Sequence, residues 1–244
     1  MGTVFSFDVR AEPTPRLFRA LADATAWLRH VDAVFSTYRP DSQISRLGRS
    51  EVALTDCEPD VAEVLRLCDQ AARVSGGRFS VHVGPGLDPS AMVKGWAVER
   101  AAQMLSRAGA RDHCVNGGGD LQLTGGAGPG RPWRIGVAHP LLPGRLATVV
   151  TGRDLAVATS GTAERGHHIF DPRTGRPATA LASMTLVGRD LTTVDAQATA
   201  AFVMGESARE WVEDALEDIE AFAVTADGRT WWTAGFPEYG IVPR

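Results

Sequence analysis

HCVNGGGDLQL, His113 to Leu123, is the stretch from which the fold is read. Two runs suited to strands, His113 to Asn116 and Leu121 to Leu123, flank a cluster of glycines. Glycine adopts positive φ without steric penalty, so strands joined through such a cluster turn back on one another and pair antiparallel. Short runs of the same kind recur at Trp133 to Ala138, Ala147 to Thr151, Leu155 to Ala158, Met184 to Val187, Ala221 to Thr225 and Arg229 to Thr233. Alternating Val4, Phe5, Phe7 and Val9 add a strand at the N-terminal end. Helical spacing is found in separate blocks. Thr14-Pro15 supplies a capping hydroxyl and a proline where its missing N–H costs nothing, and Leu17, Leu21, Ala24, Leu28, Val31 and Phe35 follow on one face. Glu58-Pro59-Asp60 opens a second helix. A third is expected over Val93 to Arg107, stopping at Gly109. The last two are Val194 to Met204 and Ser207 to Leu216, parted by Gly205. Runs of strands with helices grouped apart predict an α+β fold, an antiparallel sheet core with packed helices, and not regular βαβ winding. Gly125 to Pro132 reads as a surface loop, and residues 1–244 read as a single domain.

Composition narrows the function classes. A chain of 244 residues, 44% hydrophobic and 22% charged, can bury a substantial core. Its net charge of −4 and pI near 5.9 argue against nucleic acid as a partner, which calls for a basic face. Cys57, Cys68 and Cys114 are odd in number and form no CxxC pair, so they read as reduced packing thiols and not as a disulfide framework or zinc site. No run approaches the roughly 20 apolar residues of a membrane span, and Met1 leads directly into a strand pattern without a basic or apolar leader. A cytoplasmic protein is expected. The residues leave the oligomeric state open.

Two segments carry unusual chemistry. HHIFDPRTGRP, His167 to Pro177, is a turn-rich loop with two imidazoles, a carboxylate and two guanidiniums. TTVDAQATA, Thr192 to Ala200, reads as the opening of a helix in which Asp195 and Thr199 share a face. That pair fits two readings: oxygen ligands to a small hard cation such as magnesium, or a carboxylate placed for capping and the helix dipole. The DPRTGRP loop fits either a substrate-contacting role or a turn held by its own bonds. NGGGD, Asn116 to Asp120, admits close approach of a ligand to backbone, but alone it is a tight turn, and the absence of GxGxxG gives a Rossmann reading no support.

These segments, together with MGTVFSFDV at the start, FSTYRPDSQISRL (Phe35 to Leu47), LDPSAMVKGWAVERAA (Leu87 to Ala102) and VATSGT (Val157 to Thr162), stand in one order. In that order the chain resembles the ApbE-like family, the FAD:protein FMN transferases, from Met1 to about Phe236. The resemblance implies a fold of that family, related to the T-fold, and a Mg²⁺-dependent (or Mn²⁺-dependent) transfer of FMN from FAD, the substrate, to a protein Ser or Thr hydroxyl, with release of AMP. It implies that Asp88 and Lys94 contact FAD, where a helix start offers N–H groups and positive potential to a pyrophosphate. The implied metal ligands are the Ala91 carbonyl, the Asp195 carboxylate and the Thr199 hydroxyl. Met1, Tyr38, the Gly77 to Ser80 stretch with Arg78, Phe79 and Ser80, and Phe170 match flavin-contacting positions. His168 matches the histidine before the DPxTGxP loop and is the candidate to orient or deprotonate the attacking hydroxyl, with Lys94 and Asp195 completing the catalytic set.

Each position has a plainer alternative: a solvated Lys94, an Asp88 that only caps, a partly buried core Tyr38 and a structural His168. The acceptor implied is another protein carrying D-x-x-[ST]-G-A-[ST], a motif this chain lacks. Departures from the family are Ser80 where an acid is common, His167 where a small hydroxyl residue is common, Ala198 where some relatives carry Asp, and a short link between Val83-Gly84-Pro85 and Asp88. An FAD pyrophosphatase and a flavin carrier without turnover are the alternative functions.

Overall fold

Thr14 caps the first helix, its Oγ1 accepting the Leu17 N–H at 3.2 Å, and α1 runs Pro15–Phe35. This is the span the periodicity predicts. The computed structural model describes residues 2–82, 86–163 and 166–242; Met1 and the Val83 to Pro85 element lie outside them. The remaining helices are α2 Gln43–Gly48, α3 Pro59–Val74, α4 Ser90–Arg107, α5 Leu191–Met204 and α6 Ala208–Ala215. The strands are β1 Phe5–Val9, β2 His113–Gly117, β3 Asp120–Thr124, β4 Trp133–Ala138, β5 Leu146–Gly152, β6 Ala156–Gly161, β7 Phe170–Asp171, β8 Arg176–Pro177, β9 Leu181–Gly188, β10 Glu220–Thr225 and β11 Thr230–Trp232.

Two helix starts differ from expectation, and in both an aspartate side chain supplies the reason. The α4 helix begins at Ser90, not Val93, because Asp88 Oδ1 accepts the Ser90 N–H at 2.9 Å. Asp190 caps α5 by accepting the Thr193 N–H at 3.0 Å, so α5 opens at Leu191 and Asp195 lies inside the helix instead of at its start. The capping reading of Asp195 is thereby removed. Helix α2, capped by Ser42, and the β7–β8 hairpin are too short to announce themselves by hydrophobic period.

Seven strands form one sheet in the order β1-β2-β3-β6-β9-β10-β11, every neighbouring pair antiparallel. The glycine cluster does what the sequence predicts. Gly117 pairs with Asp120 to close the β2–β3 hairpin, and Gly118 and Gly119 turn the chain at φ +63° and +96°. The sheet is covered on both faces. Met184, Leu186, Ala221 and Ala223 pack with the helices, whereas Val187, Phe222 and Val224 pack with Trp133, Val137 and Val150 of the β4–β5 hairpin. Helix α5 is buried nearly all round and lies between α4 and strands β6 and β9. Cys68 and Cys114 are buried and unpaired, their thiols pushed up to about 12 by burial, which suits packing and not reactivity. Among the described residues no helix is long and apolar enough to cross a membrane.

His113, at the start of β2, is fully buried, with Nε2 3.0 Å from the Ala102 carbonyl. A carbonyl needs a donor, so the neutral Nε2–H ring satisfies it. Burial lowers the His113 pKa from the ordinary 6.5. The unfolded chain therefore takes up a proton that the folded chain refuses, and stability falls as pH drops through about 6.5, by at most ~1.4 kcal/mol per pH unit. Thermal melts between pH 7.5 and 5 should fall more steeply in the wild type than in His113→Gln. Parallel curves for the two proteins would refute this assignment.

Candidate active site

Helices α4 and α5 meet backbone to backbone at Gly95. A Cβ at that position would stand 2.5 Å from the Leu191 carbonyl oxygen and 2.7 Å from Asp195 Cβ, so only glycine allows the approach. The Gly95 N–H donates to Asp195 Oδ2 at 2.9 Å. In the regular helical ladder that N–H belongs to the carbonyl of Ala91. One turn further on, Glu99 accepts both the Thr192 N–H (2.9 Å) and the Thr192 hydroxyl (2.6 Å), which pins the first turn of α5 to α4.

Lys94 is the single lysine among the 25 basic Lys and Arg residues of the chain. Its Nζ lies 3.2 Å from Asp195 Oδ1 and is ion-paired with Asp120 Oδ2. Both carboxylates are buried. Asp120 follows directly on the β2–β3 turn, and its Oδ1 accepts the Thr159 N–H at 2.8 Å, tying it to β6. Burying two carboxylates is costly unless each is paired and hydrogen-bonded, and here both conditions hold. One ammonium against two carboxylates still leaves the group net negative. Thr199, a turn beyond Asp195, places Oγ1 3.3 Å from Ser160 Oγ of β6 and donates weakly to the Asp195 carbonyl at 3.4 Å. The solvated-lysine alternative is overturned.

The other candidates stand on separate elements. Asp88 is exposed, and its Oδ1 accepts the Ser90 N–H at the start of α4. Phe79 is buried in the helix-side core, so only its backbone is left for a ligand, while Arg78 and Ser80 are half-buried and Ser80 Oγ accepts the His82 N–H. Tyr38 is 85% exposed, which removes the core-tyrosine alternative and leaves an unburied ring in a turn. His168 is exposed with Nδ1 3.0 Å from the Gly166 carbonyl, so the Nδ1–H is committed and Nε2 carries the lone pair. Phe170 pairs with Pro177 in the β7–β8 hairpin. The DPRTGRP loop between is held by its own bonds: Asp171 Oδ1 accepts the Arg173 N–H, the Asp171 carbonyl accepts those of Thr174 and Gly175, and Thr174 Oγ1 accepts that of Arg176. A cavity of about 290 Å³ elsewhere, bordered by Arg153, Asp154, Arg189, Asp218 and Tyr239, contains none of these residues.

The profile of the ApbE family matches residues 1–87 and 85–223. The chain belongs to the ApbE family. It is 27% identical to an FAD:protein FMN transferase of Vibrio cholerae over 98% of this chain and 88% of that protein. A relative of the same name from Treponema pallidum is 31% identical over 78% of this chain and 59% of that protein. The ApbE protein of Thermotoga maritima superposes with a TM-score of 0.87 over 98% of this chain and 96% of its own, at 22% identity, which establishes the α+β fold.

Within this ApbE-family chain the oxygen donors around Asp195 fit a small hard cation. The close approach at Gly95 brings Asp195 against the second turn of α4, a turn on from Ala91, and Thr199 adds a hydroxyl one turn along α5. Among the described residues no cluster of three or more His, Cys, Asp or Glu exists, so carbonyl, hydroxyl and phosphate oxygens would have to complete such a shell. Sequence reasoning missed Asp120 and Ser160. Both lie in motif segments, NGGGD and VATSGT, but nothing in linear spacing shows that β3 and β6 bring them beneath α4 and α5.

Proposed function

We propose that this chain is a Mg²⁺-dependent FAD:protein FMN transferase that moves FMN from FAD to a Ser or Thr hydroxyl of an acceptor flavoprotein and releases AMP. The observation that carries the reading is the convergence of Lys94 and Asp195, distant in sequence, on one buried ionic group with Thr199 a turn away. A divalent ion on the Ala91 carbonyl, Asp195 and Thr199, Mg²⁺ or Mn²⁺, would neutralise charge on the pyrophosphate. Lys94 contributes a compact positive charge to the same phosphates, and Asp88 sits at the helix start that receives them. Tyr38, Phe170 and the Arg78 to Ser80 backbone, together with Met1, are assigned to the flavin side. His168 Nε2 takes the proton of the acceptor hydroxyl as its oxygen bonds to the FMN-side phosphorus. The bond from that phosphorus to the bridging oxygen breaks, and AMP leaves with the electron pair. Positioning and electrostatics supply most of the rate.

Incubation of the chain with FAD, Mg²⁺ and a protein bearing D-x-x-[ST]-G-A-[ST] should leave fluorescent flavin on the denatured acceptor. Release of AMP and free FMN without labelling would replace transfer by hydrolysis. Unchanged FAD would leave only a flavin carrier.

A further inference from the structure

We propose that the Lys94 ammonium occupies the cation position on Asp195 while no nucleotide is bound, that Asp120 holds it there, and that a divalent ion must compete with it for that carboxylate. The inference rests on the metal reading given above and adds an order of events to it. A chain whose other basic Lys and Arg residues are all arginine places its one lysine between two buried carboxylates. Charge and shape explain the choice. A guanidinium is a wide planar fork, whereas an ammonium is a compact point charge that fits between two oxygens and can be released by a small swing of a flexible stem. Asp120 cannot follow that swing, because Oδ1 is bound to the Thr159 N–H in the sheet. Asp195 is likewise anchored by the Gly95 N–H. The movable member of the group is therefore Lys94, the least buried of the three, with 22% side-chain exposure.

The consequence is coupling between metal and dinucleotide. Free metal meets a carboxylate on which an ammonium already sits and must displace it, so it binds weakly. A pyrophosphate offers the ammonium a second anionic partner, draws it off Asp195 and opens the carboxylate to the ion. Asp120 acts in this scheme as a positioning residue, since it acts through Lys94.

Mn²⁺ binding followed by electron paramagnetic resonance, without FAD, tests the competition directly. Lys94→Met and Lys94→Gln should bind Mn²⁺ about tenfold or more tighter than the wild type, and adding Asp195→Asn to either should abolish the gain. Affinity equal to or below that of the wild type in both variants would overturn the proposal. The wild type supplies a measurement free of any folding change: with ¹³Cε-lysine the chain gives one lysine signal. That signal should move as Mg²⁺ saturates the site and stay still in Asp195→Asn. A wild-type signal unmoved at saturation would overturn the proposal as well. The function and the competition fail separately. Tighter Mn²⁺ binding without flavin transfer keeps the competition and discards the activity, whereas transfer with unchanged Mn²⁺ affinity discards the competition alone.

Discussion

Asp195→Ala is expected to lower flavin transfer by about 100- to 1,000-fold while leaving the fold nearly intact. The two halves of this expectation come from the same charge count. Asp195 shares the Lys94 ammonium with Asp120, so its removal converts a net-negative buried group into a balanced pair between Lys94 and Asp120. Lys94 keeps Asp120 as its partner, so the large penalty for stripping a buried ammonium of its counter-charge does not arise. The Gly95 N–H, which donates to Asp195 in the wild type, lies inside α4, where the Ala91 carbonyl is its regular helical acceptor. Thermal midpoints should therefore agree within a few degrees, a shift of about 1 kcal/mol or less. Activity has no such substitute. Alanine removes the one carboxylate among the assigned metal ligands, leaving a carbonyl and a hydroxyl that carry no charge. Rates should be measured across a Mg²⁺ series with melting curves alongside. Full metal-dependent turnover by the variant would remove Asp195 from the site, and a collapsed melting curve would show that its role is structural.

The α+β class, the antiparallel pairing and the principal helices were legible because each is written in short-range chemistry. The Thr14-Pro15 start of α1 and the Gly118-Gly119 reversal between β2 and β3 need no distant partner to act. Helix starts were less legible where a side chain sets them from outside the periodic run, as Asp88 does for α4 and Asp190 for α5. Two of the three members of the ionic group were also legible. Lys94 and Asp195 were marked by family motif, but their meeting depends on the close crossing at Gly95, which no period reveals. Asp120 was hidden by its own surroundings: after three glycines an aspartate reads as turn chemistry. Its burial comes from β6, whose Thr159 N–H holds it, and such a contact between strands distant in sequence leaves no linear trace.

The crossing itself supplies the second large effect. In Gly95→Ala the new methyl would lie 2.5 Å from the Leu191 carbonyl oxygen and 2.7 Å from Asp195 Cβ. Neither contact is the free end of a flexible side chain: the first is helix backbone, and the second is the root of an anchored carboxylate. Rotamer adjustment cannot relieve the overlap, so α4 and α5 must separate. Overpacking of this kind costs about 1–3 kcal/mol, a fall of roughly 2–12 °C in the melting temperature of a domain this size. Helix α4 itself would favour the change, since alanine exceeds glycine in helix propensity by about 1 kcal/mol, so any net loss measures the crossing and not the helix. Separation also draws Asp195 away from Lys94 and from the Gly95 N–H, and a displacement near 1 Å at a phosphoryl-transfer site costs about 100-fold in rate. Gly109→Ala provides the contrast. Gly109 ends α4 at φ +93°, and a methyl there would meet nothing within 4 Å, so its replacement strains the backbone without touching the site. Both variants should melt earlier than the wild type, but only Gly95→Ala should lose transfer in the protein that remains folded. Equal specific activities for the two would mean that the α4–α5 crossing does not position the reacting groups.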